Sequence, residues 1–402
     1  KEDLLPTEQE LAEQIQAYLE PRQRQMLDLL RELVLIQSSS RNKPGLDRMA
    51  EQLAQAMPQS LQAEILPQSE YGNMLLVRSK KAAVGQKQLL LLGHTDTVFP
   101  EDTDFNYFHE DEDQAYGPGV IDMKGGLVCG IFALLALQEL GLLSEIPVAM
   151  LCNSDEEIGS PASWELISQE AERSFAGFVL ECGGLEGEIV TGRKGRKGYL
   201  LQVQGQAGHA AQADKTKPSA ILELAHKIIA LEELNQPPAI TLNVGRIQGG
   251  IGPNTVAKQA QAFIDLRFLQ EKDSQSLEQG MQEILANPHI PGTSCHLSYQ
   301  TGRPPMPQSR LNQELYRLVH SRAEMLGQKV RPELRNGVSD ANILASKGVP
   351  VLDGLGPMGD MDHSEDEYLL KSSLVPRACL LAICIWSCCQ NPQGKSIEES
   401  LT

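Results

Sequence analysis

Residues Gln88–Val98 read QLLLLGHTDTV. Four consecutive leucines leave no polar face, so the run fits a strand covered on both sides, as in parallel sheets. It stops at a glycine, and His94, Thr95 and Asp96 follow at its carboxyl end. Open parallel sheets hold their ligands at that end. An H-x-D spacing at a strand end turns both side chains to one face. One can then bind a metal while the other fixes the imidazole tautomer.

Working outward, the same texture recurs. Pro147–Cys152 (PVAMLC), Gly177–Leu180 (GFVL) and Val349–Leu352 (VPVL) are further short apolar runs. Between them, Gly119–Gly141 contains a long apolar helix, and another covers Leu374–Cys389. Met26-Leu27, Leu29-Leu30 and Leu33-Val34 recur at helical spacing near the start, and Asp47–Met57 is amphipathic and stops before Pro58. Strands alternating with helices predict an α/β fold with a mostly parallel sheet flanked by helices. From about Arg196 to Pro305 the pattern changes. Tyr199–Val203, Ala239–Val244, Ala260–Phe268 and Ser294–Tyr299 alternate apolar and polar residues, with helical segments at Pro218–Glu233 and Asp273–Ala286. Such strands have one solvated face. The expected organisation is a discontinuous domain of residues 1–195 and 306–402, interrupted by a smaller α+β module at 196–305, with Pro304, Pro305 and Pro307 as its exit hinge.

The 402 residues carry a formal charge of −18, and 41% are hydrophobic. That balance excludes global disorder. It offers no basic face for a nucleic-acid duplex and disfavours anionic membranes. The charge-free apolar stretch Gly125–Gln138 is 14 residues long, short of the roughly 20 that cross a bilayer. No leader segment is legible. Eight cysteines form no CxxC pair and mostly sit in apolar runs. They read as reduced core thiols of a cytoplasmic protein.

Polar residues follow the other apolar runs too. Asp122 stands directly before a helix; Ser154-Asp155-Glu156-Glu157 follows Cys152; Glu181 follows Leu180; Asp362-His363 follow the late strand. Ser364 and Glu367 have the spacing of a capping box. Imidazoles and carboxylates without thiolate suit Zn²⁺, Mn²⁺ or Co²⁺. Neighbouring Glu156 and Glu157 point apart, so one can ligate while the other acts as a base for metal-activated water. Taken singly, each has an ordinary alternative: a polar turn for HTD, a solvated acidic loop for SDEE, a helix cap for Asp122, a surface residue for Glu181 or His363. Five candidates at one end of one sheet are what favours a site.

These segments resemble the co-catalytic zinc peptidases and amidases that include glutamate carboxypeptidase, aminoacylase, acetylornithine deacetylase and succinyl-diaminopimelate desuccinylase. The resemblance is carried by GHTDTV (Gly93–Val98), GPGVIDMKGG (Gly117–Gly126), SDEEIGS (Ser154–Ser160) and LECGG (Leu180–Gly184). It continues through GQAGHAA (Gly205–Ala211), GGIGPNTVAKQAQAFIDLRF (Gly249–Phe268), SDANIL (Ser339–Leu344) and DGLGPMGDMDHSEDEY (Asp353–Tyr368). The order is the family's, and the match leans toward the glutamate carboxypeptidase branch.

The resemblance implies two zinc ions, with cobalt or manganese as substitutes. Their ligands would be His94, Asp122, Glu157, Glu181 and His363, Asp122 bridging. It implies Glu156 as general base, Asp96 as partner of His94, and a cis peptide bond at Asp122-Met123. The module at 196–305 resembles a lid or dimerisation domain, so a homodimer is expected. His209 would reach a neighbouring active site and hydrogen-bond the oxyanion, while a buried strand-end His is the plain alternative. Asn254, Arg267 and Lys194 would position substrate; for Arg267 a salt bridge within its strand is the other reading, and for Lys194 a solvated hinge. The segment RNGVSD (Arg335–Asp340) departs from the Gly-rich pattern usual there, leaving side-chain specificity open. The expected activity is hydrolysis of an amide in a small peptide or N-acyl-amino acid, releasing an amino acid with a free carboxylate. The alternatives are an N-acyl-amino-acid deacylase, a dipeptidase, a catalytically silent binder, and a phosphate binder. The last is disfavoured because GPGVIDMKGG lacks the GK[ST] ending of a P-loop.

Overall fold

In the residues described by the computed structural model, 7–212 and 217–390, the first helix α1 (Glu8–Leu19) starts at Thr7. The Thr7 hydroxyl accepts the Glu10 N–H and the Glu10 carboxylate accepts the Thr7 N–H, a reciprocal cap. Helix α2 (Gln23–Val34) buries Met26, Leu27, Leu30, Leu33 and Val34, the stripe legible in the sequence. Helix α3 (Lys43–Ala56) starts four residues before the amphipathic stretch, because the Asn42 side chain accepts the Gly45 N–H at 3.0 Å. Then come β1 (Gln62–Leu66), β2 (Met74–Arg78), β3 (Gln88–His94), α4 (Gly125–Glu139), β4 (Val148–Asn153), α5 (Trp164–Glu172) and β5 (Ser174–Val179). An antiparallel module follows, with β6 (Gly195–Gln204), β7 (Gly208–His209), α6 (Ala220–Glu232), β8 (Ile240–Gly249), β9 (Thr255–Val256), β10 (Gln259–Phe268), α7 (Glu271–Ala286) and β11 (Ser294–Arg303). The chain ends its described part with α8 (Arg310–Met325), α9 (Ala341–Ser346), β12 (Val351–Leu352), β13 (Tyr368–Leu370) and α10 (Leu374–Gln390).

Contacts divide these elements into two units. One runs to Gly192 and takes up again at Gln308–Leu334 and from Ser339; the other is Arg193–Pro307 with Arg335–Val338. The first unit is built on a six-stranded sheet in the order β1-β2-β4-β3-β5-β12. The four strands β4, β3, β5 and β12 run parallel. β2 is antiparallel to β4, and β1 to β2, so the sheet is mixed at one edge. Every residue of β3 and β4 is buried, as continuous apolar runs require.

Helices α4 and α10 pack on each other and on the sheet. The segments Val120–Glu139 and Lys371–Gln390, 20 residues each, are long and apolar enough to cross a membrane by length and composition. The 14-residue charge-free count understates them. Their most apolar stretches are 89% and 78% buried inside the fold, as core helices are. Burial of each Leu or Ile side chain there is worth about 1.5–3 kcal/mol. Helix α4 approaches the sheet at Gly126, where a Cβ would lie 1.8 Å from the Leu180 carbonyl oxygen.

The second unit is a four-stranded antiparallel sheet, β8-β10-β6-β11, with α6 and α7 packed on one face. Leu201, Val203, Ala260, Ala262, Ile264 and Leu266 point inward, and Gln202, Gln204, Gln259 and Gln261 alternate outward. β7 pairs with β9 beside it, His209 opposite Thr255.

Candidate metal centre

Strand β3 ends at His94, and the backbone N–H groups beyond it are already engaged by the sheet. The Thr95 N–H reaches the Asn153 carbonyl at the end of neighbouring β4. His94 is thereby fixed at the carboxyl edge of the sheet. Its Nδ1 lies 3.0 Å from the Asp96 carbonyl oxygen and 3.4 Å from the Asp96 carboxylate. The shorter, backbone contact is the one that orients the ring. The Asp96 carboxylate is fully buried and spends itself elsewhere too. It accepts the N–H groups of Glu156 and Glu157 at 3.1 Å and the Ser40 hydroxyl at 2.7 Å. One side chain thus ties the His94 loop to the acidic loop.

That acidic loop sorts its four polar residues by direction. Ser154 donates to the Gly72 carbonyl, and Asp155 turns inward to accept the N–H groups of Ala162 and Ser163. Glu156 and Glu157 start a single helical turn, Glu156–Ile158, and are left at the sheet edge. Asp122 lies in the middle of the irregular turn Val120–Lys124 that leads into α4, and its bond to Met123 is cis.

The Asp122 carboxylate stands between two groups. Its Oδ1 is 3.1 Å from His94 Nε2, which is also 3.5 Å from Glu181 Oε1. Its Oδ2 is 3.1 Å from His363 Nε2, which is also 3.4 Å from Glu157 Oε2. The five residues read from the sequence are therefore brought together as two clusters sharing one carboxylate. Two donors each about 2.05 Å from a tetrahedral centre lie about 3.35 Å apart; the observed spacings of 3.1–3.5 Å match that packing. The donors are nitrogen and oxygen only, which fits Zn²⁺, Mn²⁺ or Co²⁺. Asp362, which the sequence places beside His363 without a ligand role, also converges with Asp122 and His363. Glu157 is the better-enclosed partner of His363, since Asp362 is exposed.

Electrostatics reflect the crowding. Burial pushes the Glu181 carboxyl up to about 7, and the Asp122 charge adds to the rise. Glu157 is raised for the same two reasons. Burial works against the Asp122 carboxylate, yet His363 and His94 outweigh it and hold Asp122 well below the usual range. Hydrogen bonds to Asp122 and Glu157 raise His363 to about 11. Burial opposes the charged form of His94, but Glu181, Asp122 and Asp96 raise it overall.

The expected capping box at Ser364 and Glu367 is not formed. No helix starts there, and Glu367 reaches instead to backbone N–H groups of residues 119–122. The Ser364 hydroxyl makes only a local turn, donating to the Met361 carbonyl. Sequence spacing alone could not separate a local cap from a contact some 245 residues away. Ser40 was likewise invisible, a lone serine in a polar loop.

The remaining candidates lie in the second unit. His209 is exposed on β7, its Nδ1 accepting the Ala211 N–H, and the Asn254 carbonyl accepts the Ala210 N–H. His209 and Asn254 are therefore neighbours. Arg267 makes the strand salt bridge, Nε to Asp265 Oδ2 at 2.8 Å, and also donates to the Asn336 carbonyl. Lys194 is buried, and its pKa is lowered by burial first and by the Arg267 charge second. Lys194 and Arg267 thus sit together at one end of β10, while β9, with His209 and Asn254, adjoins the other end. Eight residues of strand separate these ends, about 27 Å.

A model of peptidase family M20/M25/M40 matches residues 90–387. Carboxypeptidase G2 of Pseudomonas sp. (strain RS-16) is 27% identical over 304 residues, covering 74% of this chain and 73% of the relative. Acetylornithine deacetylase of Edwardsiella ictaluri is 28% identical over 386 residues, 90% of this chain and 97% of the relative. Among solved structures, a tripeptidase from Staphylococcus aureus superposes with a TM-score of 0.77 at 20% identity, over 92% of this chain and 99% of that one. That last likeness speaks to the fold.

Proposed function

Since this chain belongs to peptidase family M20/M25/M40, whose members are metal-dependent hydrolases, we propose that it cleaves an amide bond and releases an amino acid with a free carboxylate, in the manner of a glutamate carboxypeptidase. The observation that carries the reading is the Asp122 carboxylate, shared between His94 with Glu181 on one side and His363 with Glu157 on the other. Those five side chains would hold two divalent ions, zinc by preference. Bound ions supply Lewis acidity toward the amide carbonyl and bring the pKa of water near 7.

The chain's own groups do the rest. Glu156 takes the proton of the attacking water and returns it to the leaving amine. Its position is set through its own N–H on the Asp96 carboxylate. Lys194 and Arg267 hold the free carboxylate of the substrate. His209 donates a hydrogen bond to the developing oxyanion, with Asn254 beside it. A dipeptide-sized substrate cannot reach both ends of β10 at once, which supports His209 and Asn254 serving the site of a second copy. Exposed Ile221, Leu222 and Ile229 on α6 and Ile247 on β8 offer the apolar surface such a homodimer needs. Six of the eight cysteines are buried, which supports reduced core thiols and a cytoplasmic setting.

The acetylornithine deacetylase relative aligns over more of this chain than carboxypeptidase G2 does, and it supports N-acyl-amino-acid deacylation as a second reading. A hydrolysis panel of acyl-glutamates, N-acetylornithine and simple dipeptides, with zinc, cobalt or manganese added back, separates the two. Glu156→Gln is expected to abolish turnover on the best substrate with two metals per chain retained. Loss of metal from that variant would mean that base and ligand have been exchanged in this assignment.

A further inference from the structure

We propose that Glu367 is a positioning residue that fixes the Asp122 carboxylate between the two clusters, and so sets the affinity of both metal positions. The proposal rests on the metal-centre reading above. Glu367 is fully buried. One of its oxygens accepts the N–H groups of Ile121 at 2.9 Å and Asp122 at 3.0 Å; the other accepts that of Gly119 at 3.0 Å. A buried carboxylate is tolerated where charge-assisted hydrogen bonds replace its hydration. Here all three donors belong to the turn that presents Asp122.

The turn is buried and irregular: its Val120 and Lys124 N–H groups reach the Gly117 and Gly119 carbonyls, and those of Gly119, Ile121 and Asp122 go to Glu367. Gly119 sits at φ +72°, and the backbone angles of Asp122 and Met123 are not helical. On the other side, Glu367 stands four residues after His363, in a loop whose Met361 and His363 have φ near +62°. Glu367 directly precedes β13, and Tyr368 pairs with Tyr116 on the short strand that leads toward Gly119. The same side chain therefore fastens the Asp122 turn to the His363 loop. Those two loops carry the groups that meet at 3.1 Å, Asp122 Oδ2 and His363 Nε2.

Glu367→Gln keeps the size of the side chain but places an NH₂ group where an acceptor stood, so at least one N–H of the turn faces a donor. Glu367→Asp keeps the carboxyl group but is one methylene short. Zinc titration with a competing chelator, on protein shown to be folded by circular dichroism, is the assay. The wild type is expected to bind two zinc ions. Both variants are expected to bind zinc roughly 10–100-fold more weakly, with kcat reduced at saturating zinc and KM little changed. The control is Glu170→Gln, which removes a buried carboxylate held by Arg78 and Gln88 far along the sheet. It should cost stability and leave zinc affinity alone.

If the Glu367 variants lose stability as the control does while zinc affinity stays at the wild-type value, Glu367 is only a structural brace and the proposal is overturned. If one variant does not fold, the other is read in the same way. If neither folds even with zinc while Glu170→Gln does, the residue serves folding and the proposal is again overturned. If the wild type itself binds no zinc, the metal-centre reading fails first, a result distinct from the others.

Discussion

Replacing Gly126 by alanine tests how tightly the fold dictates the geometry of the metal centre. Gly126 lies in the first turn of α4, four residues after Asp122. An added Cβ would stand 1.8 Å from the Leu180 carbonyl oxygen, whereas real Cβ contacts stay beyond 3.0 Å, so something must give by at least 1.2 Å. Leu180 cannot simply retreat, because Gly356 packs against the same carbonyl and that of Glu181, with its own Cβ position 2.5 Å and 2.7 Å away. The displaced residue is followed by Glu181, whose carboxylate must stay 3.5 Å from His94 Nε2. Overpacking of this kind costs about 1–3 kcal/mol, and a shift of about 1 Å at a reacting centre costs on the order of 100-fold in rate. Urea denaturation of the metal-free protein, zinc titration and initial rates should show a destabilised variant with weaker zinc binding and a large loss of kcat. The matched control is Gly280→Ala in α7, where the nearest heavy atom is Leu234 Cδ2 at an ordinary 3.5 Å. That change should stabilise by about 0.5–1 kcal/mol and leave zinc binding alone. Wild-type zinc affinity and rate in Gly126→Ala would refute the claim that the α4 contact sets the position of Glu181.

Asp96→Asn places an amide donor against the N–H of Glu156 or that of Glu157, which use different oxygens of Asp96. It should cost about 1–3 kcal/mol of stability and weaken zinc binding roughly 10–100-fold, both read by titration and denaturation. His209→Ala should lower kcat by about 10²–10³ with KM nearly unchanged. Mixing it with inactive Glu156→Gln should restore turnover, since a hybrid dimer has one complete site; no recovery would place His209 with its own chain's site. For pH, His363 holds its proton to about 11 in the metal-free fold, above its ordinary 6.5. Its stabilising contribution is therefore complete below pH 6.5 and lost as pH rises toward 11. Lys124, pushed down to about 7 by burial, titrates nearby with the opposite sign, so the quantity to read is the stability gap between wild type and His363→Asn in chelator. That gap should shrink from pH 6.5 upward while zinc affinity rises; a widening gap would contradict the sign.

The sheet's parallel strands and the two long apolar helices were legible because a buried element must be apolar throughout. The five metal-centre side chains were legible because they fall where those apolar runs end. The β1–β2 edge was not: Gln62–Leu66 is mostly exposed, and a short, mixed stretch carries no periodic signal. Glu367 misled because Ser-x-x-Glu is a local pattern, and nothing local reveals that its acceptors are needed by Gly119, Ile121 and Asp122. Arg267 satisfies both readings, bonding to Asp265 while keeping its charge near Lys194, and only geometry could show that they are compatible. Composition understated the apolar helices, since a count broken at each charge ignores that Lys124 can itself be buried, its ammonium donating to the Ile36 carbonyl.

One carboxylate lodged between two sets of partners also means that the two halves cannot be adjusted separately. Its two oxygens face His94 and His363 separately, so any rotation of the carboxylate changes both contacts at once. A substitution that shifts Asp122 toward one set of partners would therefore be felt by the other.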